Sequence, residues 1–369
     1  MDSALLNGFR DGDVAKQLIK RIRALTDGGG PLTFMEVCGT HTVEFFRSGL
    51  RGALSGAVNL ISGPGCPVCV TPNRVLDKAV AYAGMPDVVV ATFGDMVRVP
   101  GSRSSLEKAK AEGGDVRIVY STTDALELAK RHADKRVVFI GIGFETTSPT
   151  VAAAIMQAKR EGVGNFAVLC AHRLIPPALE ALSSSGETNE IKGFLCPGHV
   201  STIIGSEAYS SIAEKHRIPC VVAGFEPLDM LQGILMMAEQ VRSGRAEVEV
   251  QYTRAVRPEG NRKALAMLEK VFFKPADSEW RGLGTIPKSG FGIREEFTGF
   301  DAGRRWPVEI PPPEENPGCR CAEVLLGKIV PTECSLFRKP CAPESPVGAC
   351  MVSSEGTCAA YYKYAMEAE

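Results

Sequence analysis

Nine short apolar runs, rich in β-branched residues, punctuate the chain between residues 34 and 252, and most lead into a glycine-rich turn and then a helical pattern. Parallel strands need such crossovers, because a hairpin cannot join them, so the succession predicts an open parallel sheet covered by helices. The runs are FMEV (34–37), NLIS (59–62), DVVVATF (87–93), DVRIVY (115–120), RVVFIGI (136–142), NFAVLC (165–170), GFLC (193–196), PCVVAGF (219–225) and AEVEVQY (246–252). They also repeat. LISGPGCPVCVT lines up with FLCPGHVSTIIG, and VVVATFGDMVRVPG with VVAGFEPLDMLQG. The offset is 134 residues from Asn59 to Gly193, 132 from Asp87 to Pro219 and 132 from Asp115 to Glu247. The expected fold class is α/β, with two similar, duplicated open parallel-sheet domains around a cleft. The expected spans are 30–133 and 134–255, the second with an extra strand near 166–170.

Helix punctuation agrees with this. Thr71 before Pro72 reads as a cap and first turn closed by Gly84, and Ser148 before Pro149 repeats the device with Gly162 at its end. In open parallel sheets ligands gather beyond the carboxyl ends of strands. The unusual turns all fall there: CGTHT (38–42), GPGCPVC (63–69), FGDMVRVPG (93–101), GFETTSPT (143–150) and PGHVS (197–201). Residues 256–369 differ. Proline and glycine are frequent there, as in PPPEENPG (311–318), and no clear strand pattern shows. An N-terminal amphipathic helix carries Leu5, Leu6, Phe9, Val14, Leu18, Ile19 and Ile22 on one stripe, which it must bury. We expect it to pack against the C-terminal third, so that 1–29 and 256–369 form a third, irregular and helical cysteine-rich domain.

A net charge of -1 gives no general attraction to nucleic acid or anionic lipid. No apolar run reaches the roughly 18 residues of a membrane span, and the N-terminus lacks the pattern of a signal peptide. A cytoplasmic protein is expected, with its thiols kept reduced and free for metals or redox work.

Of twelve cysteines, six fall after residue 318: Cys319, Cys321, Cys334, Cys341, Cys350 and Cys358. Four thiolates can hold a [4Fe-4S] cluster or a zinc ion. Zinc knuckles use two close C-x2-4-C pairs, which this spacing lacks, so an iron–sulfur cluster fits better, with zinc and spare thiols as the alternative. Two cysteines beyond four suggest a redox-active pair beside the cluster. Cys66 and Cys69, a C-x-x-C between strand and helix, resemble a thioredoxin-type dithiol; half of a zinc site is the other reading. Cys38 follows a strand directly, with Gly39 allowing close approach of a ligand and Thr40, His41 and Thr42 supplying donors. It reads as a nucleophile or metal ligand, or as a small core residue. Asp95, Glu145 and His199 occupy the remaining strand-end turns, where each could orient a substrate, move a proton or cap a helix. Cys170, Cys196 and Cys220 read as core, and His132, His172 and His216 have no constellation around them. The phosphate loop, G-x-G-x-x-G, G-x-S-x-G and H-E-x-x-H are missing from the sequence.

EVCGTHT, GPGCPVCVTP, TFGDMVRVPG, GFETTSPT, PGHVSTIIG and GACMVSSEGTCAAYYKY, in this order from residue 36 to 364, resemble the HypD family of [NiFe]-hydrogenase maturation factors. The resemblance implies a cytosolic, redox-active scaffold, rather than a conventional turnover enzyme, on which the Fe(CN)2CO unit is built. It implies a HypC-type chaperone and a HypE-type cyanide carrier as partners, with an electron-donor protein as a further one. Cys38 would share the transient CN- and CO-bearing iron with the chaperone. Cys66 and Cys69 would be the redox dithiol, with His41, Asp95, Glu145 and His199 shaping the cleft. Cys319, Cys334, Cys341 and Cys358 would hold the [4Fe-4S] cluster, and Cys321 and Cys350 would be the accessory pair, an arrangement similar to ferredoxin:thioredoxin reductase. One residue separates Cys319 from Cys321, so their roles could be exchanged. The competing expectation is an iron–sulfur-linked thiol/disulfide reductase acting on protein substrates.

Overall fold

The computed structural model describes residues 8–184 and 190–365. All nine apolar runs form strands: β1 (Leu32–Glu36), β2 (Val58–Ser62), β3 (Val88–Thr92), β4 (Asp115–Ile118), β5 (Arg136–Gly141), β6 (Phe166–Cys170), β7 (Gly193–Pro197), β8 (Cys220–Ala223) and β9 (Val248–Val250). They build two parallel sheets, one ordered β2-β1-β7-β8-β9 and the other β4-β3-β5-β6. The α/β class with two parallel sheets and a cysteine-rich helical region is thus as expected.

The boundaries differ from the expected 30–133 and 134–255. The chain makes β1 and β2, leaves to build the whole four-stranded sheet, and returns to lay β7 beside β1. The five-stranded sheet therefore takes its strands from 32–62 and 193–250, and the four-stranded sheet from 88–170. The offset of 132–134 residues paired β2 with β7, β3 with β8 and β4 with β9, whereas the sheet orders make β2, β1 and β7 the counterparts of β4, β3 and β5; an apolar run carries no record of which neighbour it pairs with.

Strand alternation sets the layers. Val88, Val90, Val138 and Ile140 of one sheet share an apolar cluster with Met35, Val37, Cys196 and Val222 of the other. The opposite face of the four-stranded sheet (Val89, Ala91, Val137, Phe139) is covered by the helices Thr122–Arg131 and Ser148–Glu161. The opposite face of the five-stranded sheet (Phe34, Leu195, Val221, Ala223) is covered by Pro227–Arg242 and Gly39–Arg47. Central strands β3, β7 and β8 are buried along their whole length, whereas edge strand β4 exposes Arg117 and Ile118. Continuous apolar runs are what two-sided burial demands.

Three local expectations shift. The helix Asn73–Ala83 is capped at Pro72 rather than Thr71, whose hydroxyl donates to the Pro67 carbonyl. The helix Ser148–Glu161 has Thr147 at its cap and closes, as expected, at left-handed Gly162. The N-terminal helix, Gly12–Thr26, packs on Pro227–Arg242 and not on the C-terminal third: Leu18 and Ile22 join Leu228, Leu231 and Leu235, flanked by Arg21–Glu239 at 2.9 Å. Leu5 and Leu6 of its stripe lie outside the described residues.

Residues 256–369 do contain strands. β10 (Phe272–Trp280) and β11 (Gly284–Ile293) form an antiparallel hairpin whose register shifts twice, which breaks the alternation a sequence pattern would show. Phe272 and Phe291 stack at 5.1 Å between centroids and join the core of the four-stranded sheet, with Phe166 and Val168. Beyond it, the short helices Cys321–Leu325, Ala349–Val352 and Thr357–Tyr364 carry three of the six C-terminal cysteines. Thr357–Tyr364 docks on Gly39–Arg47 through an edge-to-face contact of Phe46 and Tyr361, 4.7 Å between centroids.

Candidate functional site

Register brings the special turns together. Glu36 pairs with Ser62 on one side of β1 and with Leu195 on the other. The Cys38 turn therefore emerges between the Cys66–Cys69 loop and the His199 turn. The strand order reverses between β1 and β7, the switch point where open sheets bind ligands. In the second sheet the corresponding reversal, between β3 and β5, carries the Asp95 and Glu145 turns.

Cys38 caps the helix Gly39–Arg47 and is 9% exposed. Burial, and then the Glu355 carboxylate, push its thiol up to about 11, while the N–H groups of His41 and Thr40 and the Thr40 hydroxyl oppose the rise. It is a thiol at neutral pH and loses its proton only when something strongly electrophilic, such as a metal ion, arrives. Two glycines make the site possible. A Cβ on Gly65 would overlap the Cys38 backbone nitrogen, and Gly39 donates its N–H to the Gly65 carbonyl at 3.1 Å. A Cβ on Gly39 would stand 2.5 Å from both the Glu355 carbonyl oxygen and its Cβ, so the close approach expected for a ligand is made here by the protein's own C-terminal region.

Cys66 and Cys69 are joined as a disulfide, with both cysteines buried and their Cα atoms 5.2 Å apart. The Cys69 N–H points at the Cys66 sulfur at 3.1 Å.

The other predicted residues are placed as follows. His41 is fully buried, and Nε2 donates to the Gly224 carbonyl at 2.9 Å. Burial lowers it to about 4, so the ring is neutral and Nδ1 faces no hydrogen-bond partner. Phe225 stacks with both His41 and His199, at 4.7 and 4.0 Å between centroids. Asp95 accepts from the Ser353 hydroxyl and from the N–H and hydroxyl of Ser354. Glu145 is buried and accepts from the Ile175 N–H at 3.0 Å, so it caps the helix Ile175–Ser184 rather than its own. Cys38, His41, Asp95 and His199 thus border one region, and Glu145 is engaged instead with the start of the helix Ile175–Ser184.

Sequence reasoning passed over the segment that closes this region. Thr40 donates to the Glu355 carboxylate at 2.7 Å, while Asp95 holds Ser353 and Ser354. One loop, 353–355, therefore ties the turn after β1 to the turn after β3. Its sequence lies inside GACMVSSEGTCAAYYKY, where the cysteines drew attention from Glu355. His172 also has a neighbour after all: Nδ1 lies 3.4 Å from the Cys170 sulfur.

All six C-terminal cysteines line one pocket, walled by Val324, Leu336, Phe337 and Met351. Among the described residues no three His, Cys, Asp or Glu side chains converge as ligands of a single ion. A cubane asks for something else, four thiolates spread at its corners, and a pocket of sulfur and hydrocarbon suits it. The Val347 N–H points at the Cys341 sulfur at 3.4 Å, and a Cβ on Gly348 would stand 2.6 Å from the Cys319 sulfur, so glycine leaves that sulfur room. Cys321 and Cys350 are buried with their sulfurs 2.7 Å apart. Hydrogen bonds from Cys319 and Cys350, helped by the charge of Arg281, favour the thiolate at Cys321 and the thiol at its two neighbours.

Against this geometry stand the relatives. A family model designated HypD and described as "Hydrogenase formation hypA family" matches residues 13–365. The "Hydrogenase maturation factor HypD" of Azotobacter vinelandii is 50% identical over 361 residues, spanning 96% of this chain and 95% of its own length. The protein of the same name from Rhizobium leguminosarum bv. viciae is 47% identical over 365 residues, spanning 97% and 95%. The "Putative hydrogenase expression/formation protein MJ0993" of Methanocaldococcus jannaschii is 44% identical over 358 residues, spanning 96% and 98%.

Proposed function

The chain belongs to the HypD family of hydrogenase maturation factors, and from that membership we propose that it is the redox-active scaffold on which the Fe(CN)2CO unit of a [NiFe]-hydrogenase is assembled. The observation that carries the reading is the packing at Cys38. A soft sulfur donor, a thiol until it meets a metal ion, sits at a topological switch point, with the Cys66–Cys69 loop on one side and Glu355 of the cysteine-rich region on the other.

The cargo iron is the substrate, and Cys38 is its ligand from this chain; low-spin iron carrying cyanide and CO favours thiolate. Ligation releases the Cys38 proton, and Thr40 with Glu355 forms the polar route beside it. His41 stays neutral and buried, fixing the turn through Gly224. Releasing cyanide from a carrier's thiocyanate takes two electrons. Closure of a Cys66/Cys69 dithiol to the disulfide found here yields two electrons and two protons. Cys319, Cys334, Cys341 and Cys358 would hold a [4Fe-4S] cluster, which supplies electrons singly when bound, and Cys321 and Cys350 form the adjoining pair. The partners are a HypC-type chaperone, a HypE-type cyanide carrier and an electron donor. Among the described residues no helix is long and apolar enough to cross a membrane, and the working place we propose is the cytoplasm.

Infrared and Mössbauer spectroscopy of the anaerobic complex with the small chaperone tests this. Cyanide and CO stretches together with a cluster signal are expected, and Cys38→Ala should keep the cluster and lose the stretches. Stretches that survive Cys38→Ala, or purified protein carrying zinc in place of iron, would overturn it. Efficient reduction of unrelated protein disulfides, unaffected by Cys38→Ala, would instead identify a thiol/disulfide reductase.

A further inference from the structure

Arg281 opens the turn between β10 and β11, and it is a cation buried to 6% exposure. A buried guanidinium is tolerated only where its donors are met. Here they are met from two directions. The backbone N–H donates to the Val70 carbonyl at 2.8 Å, Nε to the Thr71 carbonyl at 2.9 Å and Nη2 to Asn73 Oδ1 at 2.5 Å. All three acceptors lie in the segment directly after Cys69. The fourth donor, Nη1, meets Glu315 at 3.3 Å, four residues before Cys319. The next residue, Gly282, takes φ +78°, and a Cβ there would stand 2.5 Å from the Cα of Ala322, the neighbour of Cys321. The hairpin turn is thus wedged between the Cys66–Cys69 loop and the Cys321–Cys350 pair, touching the chain beside each. None of the sulfur chemistry needs a hairpin at that point, and no sequence motif marked it.

We propose that Arg281 is the positioning residue that holds these two thiol pairs in register for thiol–disulfide exchange with one another. The inference rests on the reading of both pairs as redox-active. In the exchange, one sulfur of the reduced Cys321/Cys350 pair attacks the Cys66–Cys69 disulfide, forming a mixed disulfide and releasing one loop thiolate. The second sulfur of the pair then displaces the other. Cys321–Cys350 ends as the disulfide and Cys66 and Cys69 as thiols; two electrons and two protons have moved, and no other reagent is consumed. Arg281 touches no sulfur in this step, and acts by fixing the chain on either side of it.

The test traps the intermediate in the full-length protein purified without oxygen. Cys350→Ser and, separately, Cys321→Ser remove the second attacking sulfur, so the mixed disulfide persists and appears as a cross-linked peptide by mass spectrometry after acid quenching. Adding Arg281→Gln should cut the cross-link yield at least about tenfold, since misplacing reacting atoms by an ångström costs orders of magnitude in rate. Arg281→Lys, which keeps the buried charge and loses the fork, should fall between, and it carries the test if the glutamine variant does not fold. Thermal midpoint and iron content are measured alongside, and a purely structural role would move those and leave the cross-link yield per folded molecule unchanged. A cross-link at full yield in folded Arg281 variants overturns the proposal alone. Absence of any cross-link with Arg281 intact overturns the two-pair reading beneath it.

Discussion

Thr40 donates its hydroxyl to the Glu355 carboxylate at 2.7 Å, joining residues 315 apart in the chain, and both groups act on the Cys38 thiol. The carboxylate is the second cause, after burial, that keeps Cys38 protonated. Glu355→Gln keeps the shape and an acceptor and removes the charge. The Cys38 pKa should then fall below about 11, raising its thiolate fraction at every pH under that value. Alkylation of Cys38 by iodoacetamide at pH 8, followed by peptide mass spectrometry, should accelerate roughly threefold, the effect of half a pH unit of pKa change. At pH above the native value, wild type and variant should converge. Equal rates at pH 8 would show that Glu355 does not act on the thiol.

Gly65 and Cys38 are held backbone to backbone, with no room for a methyl group between them. Gly65→Ala forces the two turns apart and should cost about 1–3 kcal/mol, the usual range for overpacking a close contact. Because the displaced groups are backbone, no side-chain rotation relieves it. Urea denaturation measures the loss. Gly52→Ala, where nothing lies within 4 Å, is the control and should change stability little.

Much of this geometry was legible beforehand for a physical reason. A β-branched run such as VVVAT states its strand directly, because two-sided burial requires an unbroken apolar sequence. The turns holding Cys38, Asp95 and His199 were legible too, because parallel strands place their chemistry at one end. Pairing was not, since nothing in LTFME says that β7 will lie beside β1 after more than a hundred residues. The hairpin was hidden by its own irregularity, with Gly290 opposite Ala276 and slipped pairing on either side. Arg281 and Glu355 escaped for a third reason. A buried ion or hydrogen-bonded carboxylate is recognised by its partners, and theirs are scores to hundreds of residues away.

Gly348 faces the Cys319 sulfur across a gap of 2.6 Å for an added Cβ. Gly348→Ala pushes into the sulfur pocket against the Cys319 sulfur, so it should separate cofactor retention from fold. Iron and acid-labile sulfide per chain should fall by about half or more in the anaerobic variant, because close-packed walls yield little. The far-UV circular dichroism of the α/β sheets should be unchanged. Full iron content in Gly348→Ala would place the Cys319 sulfur outside the set of ligands.

His41 and His172 are buried and neutral, and burial holds them down to about 4 and about 3. In the unfolded chain each would take a proton near pH 6.5. Between that value and its native one, the unfolded state binds the extra proton and the folded state does not, so stability must fall as pH drops through this window. Each histidine contributes roughly 1 kcal/mol per pH unit once the unfolded side chain is largely protonated. Above pH 7 neither contributes a slope. Urea unfolding between pH 7.5 and 4.5 should therefore show a steady loss of stability on acidification. His41→Gln can still donate an amide N–H to the Gly224 carbonyl without titrating, and it should flatten part of that slope while the pH 7.5 value changes little. A slope identical to wild type would mean that His41 is already charged in the folded protein, and that the neutral, carbonyl-bound ring assigned to it is wrong.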